Sequence, residues 1–160
     1  MSGFAQHAAL LAATIATGLL AGVFYGFACS VMIALRRVDD GVFVDVMRKI
    51  NAAIQNGWFM LSFLGSLLFT VVAGVARFGS STMIPLAIAL AFNIAALVVT
   101  IGVNIPLNVQ LDRSGRGADP AAARRRFEGP WNRWNVVRAL LVTVSFGFLC
   151  WALELNAAGA

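Results

Sequence analysis

Histidine occurs once in this chain, at His7, tyrosine once and cysteine twice, while 7 acidic side chains stand against 12 basic ones. A haem held by two histidines, a di-iron site or a zinc site needs clustered His, Cys or carboxylate ligands, and no such set can be assembled within one copy. No glycine-rich phosphate motif opens a helix after a strand, which excludes a nucleotide-binding fold. Glu154 is the only acidic residue near an apolar run, and it sits at that run's outer end. This argues against a carboxylate-driven, proton-coupled exporter. Cys29 and Cys150 fall toward the ends of the first and last apolar runs, in opposite leaflets once chain direction alternates. A disulfide needs Cα atoms within about 7 Å, so both are read as reduced packing residues.

Charge is scarce too, at 12% of residues, whereas 60% are hydrophobic and the mean hydropathy is +0.83, values of the membrane class. Uncharged runs cover Ala8 to Leu35, Gly57 to Ala76 and Ser80 to Leu111, with a fourth from Ala139 to Leu153. About 20 apolar residues cross a bilayer core of about 30 Å, and the fourth run suffices once Val136 to Arg138 join it. The expected fold is all-α, a single domain over residues 1–160. It is a polytopic four-helix transmembrane bundle with spans at about 8–35, 57–76, 83–108 and 134–155. The first run has no positive leader and is too long for a cleaved signal, so it is read as retained. The net charge of +5 does not point to nucleic acid, because the arginines lie in short loops beside hydrophobic spans.

Along the chain, Thr14, Gly18, Gly22, Gly26 and Ser30 keep a four-residue spacing, read as a seam for close helix packing. Tyr25 beside it carries a hydroxyl that needs a partner, a backbone group or a ligand. Between the first two spans, Val42, Phe43, Val46, Met47, Ile50 and Ile54 form one stripe, which predicts a short amphipathic interfacial helix acting as a strut. The second span starts near Asn56-Gly57-Trp58 with Trp58 as a headgroup anchor, and the turn from Phe78 to Thr82 makes spans two and three antiparallel neighbours. Asn93, Thr100, Asn104 and Asn108 share a face of span three, where Pro106 cannot donate to Gly102 and predicts a kink. After Asp112, Ser114-Gly-Arg-Gly reads as a flexible turn. Asp119-Pro120 then starts a short helix that Gly129-Pro130 should stop before a new helix begins. On that last helix Trp131, Asn135 and Arg138 share a face, with Trp134 under Arg138.

The connections after spans one and three hold Arg36, Arg37, Arg48, Lys49, Arg113, Arg116, Arg124, Arg125, Arg126 and Arg133, against Arg77 alone on the other side. The positive-inside rule puts those connections in the cytoplasm and both termini outside an inner (cytoplasmic) membrane. Alternating direction then brings Tyr25, Ser30, Gln55, Asn56, Asn104, Asn108, Asn135 and Arg138 to the cytoplasmic half. Arg138 alone could snorkel to phosphates, but asparagine is too short to do so and must find partners inside the bundle. A polar pocket at that level is the expected site.

Three stretches carry a resemblance: Gly22-Val-Phe-Tyr-Gly-Phe, Asn104-Ile-Pro-Leu-Asn108, and Trp131-Asn-Arg-Trp-Asn-Val-Val-Arg138. Together they resemble a family of small four-helix membrane proteins that includes the anthrone oxygenases of polyketide pathways. The resemblance covers nearly the whole chain, although many members carry histidine where this chain has Asn135. It implies oxygenation of an anthrone-like polycyclic phenol to a quinone, with no metal or flavin cofactor. The catalytic residues it implies are Arg138, Asn104, Asn108 and Asn135, with Trp131, Trp134 and Tyr25 against a hydrophobic aromatic substrate. No residue offers a strong base. The alternative is a noncatalytic membrane protein that binds a lipid or hydrophobic metabolite, or an accessory subunit of a larger complex or homo-oligomer, with the same residues as headgroup anchors.

Overall fold

The computed structural model describes residues 3–114 and 119–158, and the described residues are helical with no strand among them. Arg116 and the glycines flanking it, the expected flexible turn, lie outside the described residues. Five helices are named here: α1 (Gly3–Leu35), α2 (Asp40–Ala53), α3 (Gly57–Ala76), α4 (Met83–Arg113) and α5 (Pro120–Ala158). All but α2 are long and apolar enough to cross a membrane. Their outer faces carry exposed Ile15, Leu19, Leu61, Leu68, Val98 and Leu140, which only lipid can cover at this density. The protein is an integral membrane four-helix bundle.

Around the bundle the order is α3, α1, α5, α4, and the side between α3 and α4 is the least closely packed. Asn56 starts α3 by accepting the Phe59 amide at 3.0 Å on its side-chain oxygen. At the other end Gly79, with φ 80°, turns the chain into α4. All four spans meet at that end, where Leu10, Ala13, Ala73, Leu86, Ala89, Leu149 and Ala152 form one cluster. At the arginine-rich end the cluster is Met32, Leu35, Phe43, Val44, Met47, Leu111, Phe127 and Trp131, and α3 is missing from it. Amphipathic α2 therefore packs onto the bundle itself. Its buried face is Phe43, Val44, Met47 and Asn51, while Val42 at the stripe's edge is 48% exposed.

Two arginines fix α2 there by capping the carbonyl ends of spans. Arg48 donates from Nε and Nη2 to the Leu111 carbonyl at 3.1 and 2.8 Å, and from Nη2 to Ser114 Oγ at 2.9 Å. Arg124 donates to the carbonyls of Leu35, Arg36 and Val38 at the end of α1. It also pairs with Asp40 at 3.0 Å and Glu128 at 2.7 Å. Cations at helix C-termini complement both the free carbonyls and the macrodipole.

Three expectations need correction. Asp119 does cap α5, accepting the Ala121 amide at 3.0 Å, but Gly129-Pro130 does not stop the helix, which runs unbroken to Ala158. Pro130 lies on the exposed side, where water can satisfy the carbonyl of Arg126 that the ring leaves without a donor. Phe127 and Trp131, stacked at 5.8 Å, anchor the helix on either side of it. The small-residue ladder of α1 is a seam only at its start. A β-carbon at Gly18 would come within 2.8 Å of the Phe146 ring, yet at Gly22 and Gly26 it would meet nothing within 4 Å. A four-residue step overshoots a full α-helical turn by about 40°, so the ladder winds off the packed face by about 160° from start to finish. The kink expected at Pro106 takes the form of a π turn over Thr100–Asn104, with the Ile105 amide donating to the Thr100 carbonyl. That wider turn removes the clash between the proline ring and the preceding carbonyl.

Candidate functional site

Where α3 leaves the arginine-rich end of the bundle, a cavity of about 390 Å³ opens between all four spans and α2. Such a volume lies within the roughly 300–1,000 Å³ range of small-molecule sites. Asn51, Thr100, Asn104, Asn108, Trp131, Asn135 and Arg138 line it together with Phe24, Phe27, Phe59 and Phe63.

The π turn is what gathers the α4 residues. Thr100, Asn104, Asn108 and Asp112 are four residues apart, a spacing that drifts around a regular α-helix as the ladder of α1 does. A π turn advances less than a full circle in four residues, so it offsets the drift that follows, and all four residues line one cavity. A second π turn, over Phe27–Val31, interrupts α1 at the same end of the bundle. Just before it the carbonyl of Phe24 accepts Asn135 Nδ2 at 3.0 Å, which ties α5 to α1 at this level.

That bond sets the electrostatics of the site. A carbonyl only accepts, so the amide nitrogen of Asn135 faces Phe24 and its oxygen is left to accept from Arg138 Nη2, at 2.9 Å. Arg138 Nη1 donates to Thr100 Oγ1 at 3.4 Å, and the guanidinium lies 4.3 Å over the Phe24 ring and 5.7 Å from that of Trp131. Arg138 is 6% exposed. None of its ion-pair or hydrogen-bond partners among the described residues is a carboxylate, and its Nε has no hydrogen-bond partner among them. Headgroup snorkelling is therefore not what this side chain does. Asn104 donates to the Trp131 carbonyl at 3.4 Å while its oxygen finds no partner among the described residues. Asn108 accepts the Trp131 indole N–H at 2.8 Å.

Of the residues expected at the site, Arg138, Asn104, Asn108, Asn135 and Trp131 converge on this cavity. Tyr25 and Trp134 do not. Tyr25 is 63% exposed on the outer face of α1, where its neighbour Phe24 takes the inward position, and Trp134 is 37% exposed on the outer side of α5. The sequence reading missed Asn51, whose Nδ2 is buried without a partner among the described residues. Its one sequence signal is an amide interrupting the apolar stripe of α2. Asn93 shares its face with Thr100 as expected but reaches only the Ser66 carbonyl, at 3.5 Å, away from the cavity.

The family model described as anthrone oxygenase matches residues 50–148. The chain belongs to the anthrone oxygenase family. No curated protein and no solved structure matches it. In this anthrone oxygenase family member the matched stretch holds every polar side chain of the cavity wall, while α1, outside it, adds aromatic rings and one backbone carbonyl.

Proposed function

We propose that this membrane protein is an oxygenase that converts an anthrone-like or other flat phenolic substrate to its quinone, with no metal or flavin. The observation that carries the reading is a buried guanidinium facing a cavity lined by aromatic rings and neutral amides, with no carboxylate bonded to it among the described residues. A desolvated cation placed where negative charge develops stabilises that charge far more than water does. Family membership supports the same chemistry.

The substrate ring lies among Phe24, Phe59, Phe63 and Trp131 with its carbonyl oxygen toward Arg138 and Asn104. Loss of a proton from the ring methylene leaves an enolate whose oxygen Arg138 holds. This carbanion-like anion gives an electron to dioxygen, recombines with it as a peroxide, and takes up a proton; loss of water then leaves the second carbonyl. One CH₂ and one O₂ become one C=O and one H₂O. The protein contributes orientation and charge stabilisation. Asp112 lies at the water-level rim of the cavity, and the buried end holds no carboxylate bonded to Arg138 among the described residues. The proton goes to water, and the acidity of the phenolic substrate replaces a protein base.

The arginine-rich end faces the cytoplasm in this proposal and both termini lie outside an inner membrane. The deciding assay is oxygen uptake with anthrone-type phenols by metal-analysed protein in detergent. Quinone formation at a stoichiometry of one dioxygen supports it. No turnover of any such phenol, with a lipid or partner protein copurifying, would establish the noncatalytic reading instead, and activity that tracks with bound iron or copper would refute the metal-free chemistry.

A further inference from the structure

The cavity has a side as well as an end. At the water level its rim is Gln55 and Asp112, both exposed. Deeper, within α3 and α4, the lining residues Met60 and Ile105 are 37% and 45% exposed. Lining side chains this accessible, on the flank where α3 and α4 pack least, point to an opening between cavity and exterior there. Ile105 lies seven residues from Asp112, so the slit descends roughly 10 Å along α4 from the polar rim toward the bilayer core. This is the one side of the bundle where neighbouring spans pack least, and the cluster at this end contains no α3 residue. The axial end is also reachable at Gln55 and Asp112, although α2 is held beside it by Arg48 and Arg124.

We infer that the site is loaded sideways from the bilayer, through the slit between Met60 of α3 and Ile105 of α4. The substrate class is then a membrane-dissolved flat phenol that enters with its oxygen leading toward Arg138. The inference rests on the proposed function for the ligand's chemistry, and adds where the ligand comes from. An apolar rim lowers the cost of moving a ring from acyl chains to the aromatic walls, because the ring never crosses water. The polar rim at Gln55 and Asp112 sits where hydroxyls of an interfacial phenol would already reside.

A blocked entrance has a kinetic signature that a damaged site lacks: it slows arrival and departure alike and leaves the equilibrium unchanged. The experiment follows quenching of tryptophan fluorescence by 1,8-dihydroxyanthraquinone, a product-like probe that does not turn over, in phosphatidylcholine vesicles by stopped flow. Met60→Phe and Ile105→Phe should each slow association and dissociation together, by on the order of tenfold, so that Kd moves far less than either rate even though both residues also line the cavity. Retained binding also shows that the variants are folded, and a loss of affinity with unchanged association overturns the entrance role. Unchanged rates in both variants overturn lateral entry, as does slowing by Gln55→Phe in their place, while leaving the proposed function standing. Failure of the wild-type protein to bind the probe overturns the ligand class and the inference with it.

Discussion

The guanidinium of Arg138, on α5, lies 4.3 Å over the ring of Phe24, on α1. An aromatic face attracts a desolvated cation by about 2 kcal/mol but carries no net charge, so it holds the arginine in place without neutralising it. The asparagine and threonine that also bind it are neutral. The positive charge thus remains available to an anion formed in the cavity.

Replacing that charge should separate stability from turnover. Arg138→Met keeps the side chain's bulk and removes a buried cation with no ion-pair partner among the described residues, and the desolvation cost so relieved offsets the acceptor left unpartnered on Asn135. Its thermal midpoint in detergent should stay within a few degrees of wild type, while oxygen uptake with an anthrone falls by on the order of 10²-fold or more. Turnover near the wild-type rate would remove Arg138 from the chemistry.

Arg124 and Arg125 are adjacent and alike in the sequence, yet they should differ in consequence. Arg124, with a side chain 13% exposed, binds three carbonyls and two carboxylates, whereas the 71% exposed Arg125 pairs, among the described residues, with Asp119 at 3.9 Å. Arg124→Ala should cost roughly 2–3 kcal/mol by uncapping α1 and loosening α2. Arg125→Ala should fall within about 0.5 kcal/mol of wild type. Equal unfolding midpoints for the two variants would contradict the capping role.

A matched pair of glycine variants tests the winding ladder of α1. Gly18→Ala puts a β-carbon within 2.8 Å of the Phe146 ring, which must move aside, and should destabilise by about 1–3 kcal/mol. Gly22→Ala meets open space and should be neutral, or stabilise by up to about 1 kcal/mol through helix propensity. Thermal melts of the purified proteins in one detergent decide it, and a Gly22 variant as damaged as the Gly18 one would restore the whole ladder as a seam.

Sidedness is open to fusion reporters. Alkaline phosphatase joined to the C-terminus should be active and green fluorescent protein dark, since both termini are expected outside the cytoplasm. The reverse pattern would invert the bundle and place the cavity at the opposite membrane face.

The spans and most of the cavity's polar wall were legible in the sequence for one reason: an amide or guanidinium inside an apolar run has no lipid partner, so Asn104, Asn135 and Arg138 announce a buried site. Polarity misled where a side chain could reach the outside, as with Tyr25 and Trp134. Helical faces were legible only while the helix stayed regular, and the bond from Asn135 to the Phe24 carbonyl, just ahead of the π turn of α1, spans 111 residues. The caps made by Arg48 and Arg124 span 63 to 89 residues, and a charge count reads them as topology signals alone. Pro130 misled because a local breaking rule met a helix held by packing on both sides.

The π turn over Thr100–Asn104 is geometrically an α-helix carrying one surplus residue. Excising Gly102 would let the hydrogen-bond ladder close without a gap, giving a shorter, more regular span. Because the turn already absorbs the extra residue, Asn108 and Asp112 would keep nearly their present bearing on the cavity wall. Straightening the turn at unchanged length would instead swing both of them by about 100°, so the wall depends on how many residues the turn holds as well as on which residues they are.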